Sequence, residues 1–247
     1  MFGLFSSKEK SLQKTVEKAT NKLAQQVDRM GALERLKEVS TAEALLGLCK
    51  RWGVTSMKGV EDEQEKNWVV DTLVEKGAGD QRTEVIAAVV RYMKNAEHLA
   101  FPLQVLERVA DRDKVLAVTD DVFASEPPGY VRMPERRIDL LRWFSEWKAA
   151  TDDEVIERLT PYVADFDENS RFAAIEGMSG RDPAKLAPPL IAALTKPDEE
   201  SGRIKRTILE VLEKSKAPLG DQAKAVEAVL VGPLTDFKVD AGIVKKR

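Results

Sequence analysis

The sequence predicts an all-α protein in which antiparallel helix pairs stack as a right-handed α-solenoid. Apolar residues recur at three- and four-residue steps along most of the chain, as they do on one face of a helix. A helix-turn-helix pattern occurs twice between Leu159 and Lys214, about 32 residues apart, and a unit of this period buries its apolar face only by stacking. The composition, 33% charged and 6% aromatic, is typical of two-faced helices.

Residues 1–39 are predicted to form an N-terminal cap consisting of one amphipathic helix from Lys8 to Val39. Its opposite face carries Lys10, Lys14, Lys18 and Lys22. The predicted buried side consists of Leu12, Val16, Ala19, Leu23, Val27, Met30 and Leu33.

Residues 40–232 are predicted to form the repeat array. Capping boxes at 40–43 and 151–154 mark two helix starts, and Asp167 and Asp182 are expected to cap two more. Ser125 to Met133 is the longest loop signal. Residues 233–247 are predicted to be a small hairpin or an extended tail that covers the last repeat.

The segment Asp165-Phe166-Asp167-Glu168-Asn169-Ser170-Arg171 resembles a HEAT-type repeat, in which an acidic turn leads to a second helix with Arg in its first turn. Asp198 to Ile204 is a looser match, and Pro134 to Leu141 looks like an earlier second helix. The resemblance covers about residues 134–215. It implies that the second helices line a concave surface, and that Gly177 lets neighbouring helices approach. The whole chain also resembles bacterial HEAT-repeat proteins whose biochemical role is not defined.

Five arginines begin these second helices: Arg136, Arg137, Arg171, Arg203 and Arg206. Two interpretations stay open for them. They form a basic stripe that grips an acidic peptide or phosphate backbone, or a structural ladder in which each pairs with the acidic turn beside it. We favour the ladder, because Asp165, Asp167, Asp198 and Glu199 lie at matching positions.

The loop from Ser125 to Met133 is a second candidate for partner binding. Tyr130 and Arg132 lie next to Arg136, and Tyr and Arg are favoured interface anchors. The alternative is a repeat connector with Tyr130 folded onto the array. Trp143 and Trp147, four residues apart, are expected to be core or an inter-repeat contact.

Composition excludes several function classes. The net charge of −3 argues against a generic nucleic-acid binder. The sequence has one cysteine, Cys49, and one histidine, His98, which excludes Cys/His zinc clusters. Cys49 is expected to be a small buried hydrophobic residue. Carboxylate clusters such as Glu61-Asp62-Glu63 are expected to be solvated helix caps, so no catalytic residue, metal or cofactor is predicted.

The first residues allow two interpretations. Phe2, Leu4 and Phe5 before a lysine-rich helix suggest a weak membrane-surface contact. We favour a frayed terminus that leads into a capping helix or a short coiled-coil contact. The chain shows no signal peptide and no run of about 18 apolar residues, so a cytoplasmic location is expected.

The expected function is a non-catalytic scaffold or adaptor that presents a concave surface to a protein or peptide. The expected partner-binding residues are Tyr130, Arg132, Arg136, Arg137, Arg171 and Arg203. The alternative is a HEAT-like DNA-binding enzyme of the alkyl-purine glycosylase type, which needs a basic concave face with aromatic residues. A HEAT-like lyase or hydroxylase is a further rival, and the single histidine argues against the metal site that a hydroxylase needs.

Overall fold

The computed structural model describes residues 7–247, and within them the chain is mostly helical with one two-stranded sheet. The chain divides into two units, one ending at Asp120 and the other beginning at Asp121. No helix in the described part of the chain is long and apolar enough to cross a membrane. Phe2, Leu4 and Phe5, the predicted membrane contact, lie outside the described residues.

The first unit contains six helices and most of a seventh. Their bounds are α1 Ser7–Ala19, α2 Gln26–Val39, α3 Ala42–Cys49, α4 Gly59–Ala78, α5 Arg82–Met93, α6 Ala100–Val109 and α7 Arg112–Ser125. A 3₁₀ turn, Lys50–Gly53, follows α3. Helix α3 contacts α1 and α5, and helix α4 contacts α2 and α6.

The predicted single helix over residues 8–39 is wrong, because the chain turns back between α1 and α2. The Asn21 side chain accepts a hydrogen bond from the Leu23 N–H at 3.0 Å, a local bond that competes with helix formation. The turn lets α1 and α2 pack against each other. Leu23 and Val27, expected on the buried side, are exposed as a result.

The start of α3 also differs in detail from the prediction. Thr41, not Ser40, is the N-cap, and its side chain accepts a hydrogen bond from the Ala44 N–H. Ser40 instead ends α2 in the left-handed conformation, with φ 54°. The chain therefore uses neighbouring residues to end one helix and begin the next.

A buried ionic network joins three parts of the first unit. Glu65 is fully buried and accepts hydrogen bonds from Arg29 Nη2 at 2.8 Å and from Arg51 Nε at 2.7 Å. Arg51 also donates to Asp62 at 2.7 Å, and Asp62 accepts from the Ser56 N–H at 2.7 Å. The network thus ties the start of α2 and the segment after α3 to the first turns of α4.

Asp62 is therefore buried, and the expectation of a solvated cap is wrong for it. Burial raises the pKa of the Asp62 carboxyl. Hydrogen bonds from Lys66, the Ser56 N–H and Arg51 outweigh burial, so that the pKa falls to about 2.

The second unit contains the end of α7, six further helices and the sheet. Its elements are α8 Glu135–Glu146, α9 Asp152–Leu159, α10 Glu168–Gly177, α11 Pro183–Leu194, α12 Gly202–Lys214, α13 Ala223–Val229, β1 Phe237–Asp240 and β2 Ile243–Lys246. A 3₁₀ turn, Thr160–Ala164, extends α9. The predicted capping box at Thr151 and the predicted caps at Asp167 and Asp182 are confirmed.

Helix α10 lies between α8 and α12 and contacts both. Close approach depends on Gly177, where an added Cβ would lie 2.6 Å from Leu159 Cδ2 and 2.7 Å from Ser145 Cβ. The role assigned to this glycine from the sequence is confirmed. The strands β1 and β2 form an antiparallel hairpin, with Val239 opposite Val244, and β2 contacts α12. Of the two predictions for the C-terminal tail, the hairpin is the correct one.

Candidate partner-binding site

Two segments of the second unit meet beside α8. The first is the loop 126–134, which connects α7 to α8. The second is the short turn 165–167, which connects the 3₁₀ turn Thr160–Ala164 to α10. Each segment exposes one aromatic side chain, Tyr130 in the loop and Phe166 in the turn.

A buried arginine and a buried aspartate hold the two segments together. Arg137 Nη1 donates to Asp165 Oδ2 at 2.7 Å and to the Gly129 carbonyl at 3.0 Å, and Nη2 donates to the Pro127 carbonyl. Asp165 also accepts from the Asp167 N–H at 2.8 Å and from the Gly129 N–H at 3.3 Å. We call the Arg137–Asp165 pair and these backbone bonds the clasp.

The clasp is formed by groups that are almost completely out of water. Arg137 keeps 3% of its accessible surface and Asp165 keeps 2%. A buried ion pair is held by good geometry and by satisfied hydrogen bonds, and losing one partner leaves the other charge uncompensated. The clasp therefore fixes the backbone directly before Tyr130 and directly before Phe166.

Further contacts brace the same two segments. Tyr162 donates its hydroxyl proton to the Glu126 carbonyl at 2.8 Å, and burial raises the pKa of this phenol to about 12, so it stays a donor. Arg136 Nε lies 2.9 Å from Glu126 Oε1. Arg171 Nη1 donates to the carbonyls of Asp165 at 2.9 Å and Phe166 at 3.2 Å.

Glycine is required at position 129 by the backbone conformation. Its φ of 132° lies in a region that L side chains rarely adopt, although no atom would obstruct an added Cβ. In this conformation both the N–H and the carbonyl of Gly129 join the clasp.

Tyr130 and Phe166 form an exposed aromatic pair. Their ring centroids are 5.3 Å apart and the ring planes meet at 87°. Tyr130 keeps 76% of its accessible surface and Phe166 keeps 69%. Met133 in the same loop is also exposed. Exposed aromatic residues on a fixed backbone are the side chains that most often anchor a protein interface.

The predicted arginines form a ladder along α8, α10 and α12. Arg137 pairs with Asp165, Arg171 Nε lies 3.1 Å from Glu199 Oε2, and Arg206 Nη1 lies 2.8 Å from Asp236 Oδ2. Arg137 and Arg171 thus pair with acids named in the structural alternative, but each acid lies in the turn before the next of these helices and not in the turn beside its own arginine. For these two residues, direct contact with a partner remains a prediction.

The remaining predicted residues have different surroundings. Arg132 is exposed, and within residues 7–247 it has no hydrogen-bond or ion-pair partner. Arg136 is held by Glu126. Arg203 Nη1 donates to Asn169 at 3.0 Å, and its Cζ lies 3.9 Å from the centroid of the Phe172 ring. The alternative in which Tyr130 folds onto the array is wrong, since the residue is exposed.

Phe166 is the residue that the sequence interpretation missed. In the sequence it stands out only as part of the repeat motif. A large aromatic residue between two aspartates in a predicted turn, at Asp165 and Asp167, is the signal that could have found it. Such a turn offers no helix face on which to bury the ring, so exposure follows.

Two other features of the second unit are less suited to binding a protein partner. Trp143 and Trp147 stack with centroids 5.5 Å apart, and Trp147 is buried, which supports the structural interpretation of that pair. A groove of about 550 Å³ lies over α8, α10 and α12, and none of the predicted partner-binding residues lines it. Its walls carry charges of both signs, including Arg142, Glu176 and Lys214.

Comparison of the chain with protein-family models, with curated proteins and with solved structures found no match.

Proposed function

We propose that this chain is a non-catalytic scaffold of the HEAT-like α-solenoid type, and that the aromatic pair anchors a protein partner. The repeat interpretation is supported by the sequence motif and by the order of helices within the second unit, where α8, α10 and α12 are successive neighbours. A right-handed stack of such pairs accounts for the close approach at Gly177.

The single observation that carries the binding role is the exposure of two aromatic rings on a rigid backbone. Interface hot spots are enriched in Tyr, Trp and Arg, and their strength grows when the free protein already holds the bound geometry. The clasp supplies that geometry, because it fixes the residues before both rings. Arg132, two residues after Tyr130 in the same loop, adds an exposed cation.

The ladder argues against the alternative of a DNA-binding enzyme. A nucleic-acid surface needs cations that are free to neutralise phosphates. Arg136, Arg137 and Arg171 lie instead beside Glu126, Asp165 and Glu199. A DNA mobility-shift assay with a salt titration tests this, and tight, salt-sensitive binding would favour the enzyme.

Site-specific photo-crosslinking in the native cell tests the scaffold proposal. A photoreactive amino acid at Met133, beside the aromatic pair, is expected to give a discrete protein adduct. The matched control is the same amino acid at Val231, which is also exposed and lies in the same unit. A protein adduct at both positions alike, or at neither, would contradict the proposal.

A further inference from the structure

We propose that the aromatic pair binds an extended, proline-containing segment that carries an acidic residue. This inference rests on the proposed function and names the partner's chemistry. Three properties of the site point to it: the angle between the rings, the hydrogen-bonding groups beside them and the charge of Arg132.

The rings form a notch with two walls. Tyr130 and Phe166 pack edge to face, with ring centroids 5.3 Å apart and planes that meet at 87°, so they form a right-angled corner in which a compact side chain contacts a face of each ring. A proline ring is compact, rigid and apolar, and aromatic-lined grooves bind proline-rich segments in several unrelated domains. Because such a segment is extended before it binds, it loses little conformational entropy.

The loop that carries Tyr130 also carries hydrogen-bond donors that lack acceptors in the described part of the chain. The backbone N–H groups of residues 130–133 donate to no acceptor among residues 7–247, and neither does the Tyr130 hydroxyl. A polyproline segment has no internal hydrogen bonds, and its prolines offer carbonyl oxygens without N–H groups. Donors on the site and acceptors on the segment are therefore complementary.

The charge of Arg132 favours an acidic residue in the bound segment. Within the described residues Arg132 has no counterion, whereas Arg136 and Arg137 are each paired with a carboxylate. A guanidinium binds a carboxylate in a planar, two-bond geometry. An acidic residue next to the prolines would meet Arg132 while the prolines occupy the notch.

Fluorescence anisotropy with three labelled peptides tests the inference on the full chain. The first peptide has roughly eight consecutive prolines, enough for more than two polyproline turns, followed by a pair of glutamates. The second replaces the glutamates with lysines. The third keeps the glutamates and replaces the prolines with a Gly-Ser repeat, which is flexible.

We expect saturable binding of the first peptide, weaker binding of the second and the weakest binding of the third. Tyr130→Ala and Phe166→Ala are each expected to weaken binding of the first peptide about thirty-fold, the loss at which a residue counts as a hot spot. Arg132→Ala should weaken binding of the glutamate peptide and leave the lysine peptide unchanged. Val231→Ala, at an exposed site, should have no effect.

Equal binding of the Gly-Ser peptide would overturn the inference, because charge alone would then explain binding. Failure of the first peptide to bind would overturn it as well. If an adduct still forms specifically at Met133, the scaffold proposal stands and only the partner's chemistry is wrong. If no such adduct forms, the proposed function itself fails. Circular dichroism of each variant confirms that it is folded.

Discussion

Substitutions that break the Arg137–Asp165 pair test how much the clasp contributes to the free energy of unfolding. Arg137→Met leaves the carboxylate of Asp165 buried without its cation. Asp165→Asn leaves the Arg137 guanidinium buried without its anion, while the amide oxygen can still accept from the Asp167 N–H. Because both groups keep 3% or less of their accessible surface, each single substitution is expected to lower the free energy of unfolding by about 3–5 kcal/mol.

The double variant Arg137→Met/Asp165→Asn removes both charges, so neither is left uncompensated. We expect it to cost less than the sum of the two single variants by at least about 2 kcal/mol. The exposed pair Arg206 and Asp236 is the matched control, and Arg206→Met with Asp236→Asn should show little coupling.

Urea unfolding followed by tryptophan fluorescence measures these differences. Trp143 and Trp147 lie on and just after α8, the helix that carries Arg137, whereas Trp52 and Trp68 lie in the first unit. Replacing Trp52 and Trp68 with Phe makes the signal specific to the second unit, which matters because the two units can unfold separately. If each single variant loses less than about 1 kcal/mol of unfolding free energy, or if the two losses simply add in the double variant, then the clasp does not stabilise the unit as a buried ion pair.

Other substitutions test the remaining features, with the free energy of unfolding measured in urea. Glu65→Gln, in the buried network, is expected to lower the free energy of unfolding by about 3–5 kcal/mol. A loss as small as that of a substitution at an exposed site would contradict the stabilising role of the network. The pKa of Asp62 is lowered to about 2, so its stabilisation is present above pH 4 and lost as the pH falls towards 2. Asp62→Asn should therefore reduce the pH dependence of the free energy of unfolding between pH 4 and pH 2. An unchanged pH dependence would contradict this stabilising role of the Asp62 carboxylate. Gly177→Ala places a Cβ 2.6 Å from a neighbouring carbon and is expected to cost about 1–3 kcal/mol, whereas Gly31→Ala, with open space, should stabilise α2 by about 0.5–1 kcal/mol.

Local signals in the sequence predicted much of the helical structure. The caps at Thr151, Asp167 and Asp182 depend on a side chain and a backbone N–H two or three residues away, so the sequence alone specifies them. The sequence also predicted that arginines of the ladder pair with acidic turns, but it assigned each arginine to the turn beside it, whereas Arg137 and Arg171 pair with the turn before the next helix.

Long-range contacts were not predictable in the same way. The buried network of the first unit joins Arg29, Arg51 and Glu65, which are far apart in the sequence and have no repeat relationship. The turn between α1 and α2 lacks glycine and proline, and it forms where packing of the two helices outweighs continued helical periodicity. The aromatic pair likewise depends on two segments that only the folded chain brings together.

Above all, we propose that the aromatic pair on the clasp contacts a protein partner. The most direct measurement is the yield of the photo-crosslinked adduct at Met133 in the wild-type chain and in the double variant Tyr130→Ala/Phe166→Ala. Both substitutions lie at exposed positions, so the fold should be retained. The account predicts that losing the two rings abolishes the adduct, while Val231→Ala leaves it intact. An adduct of equal yield without the rings would contradict the account.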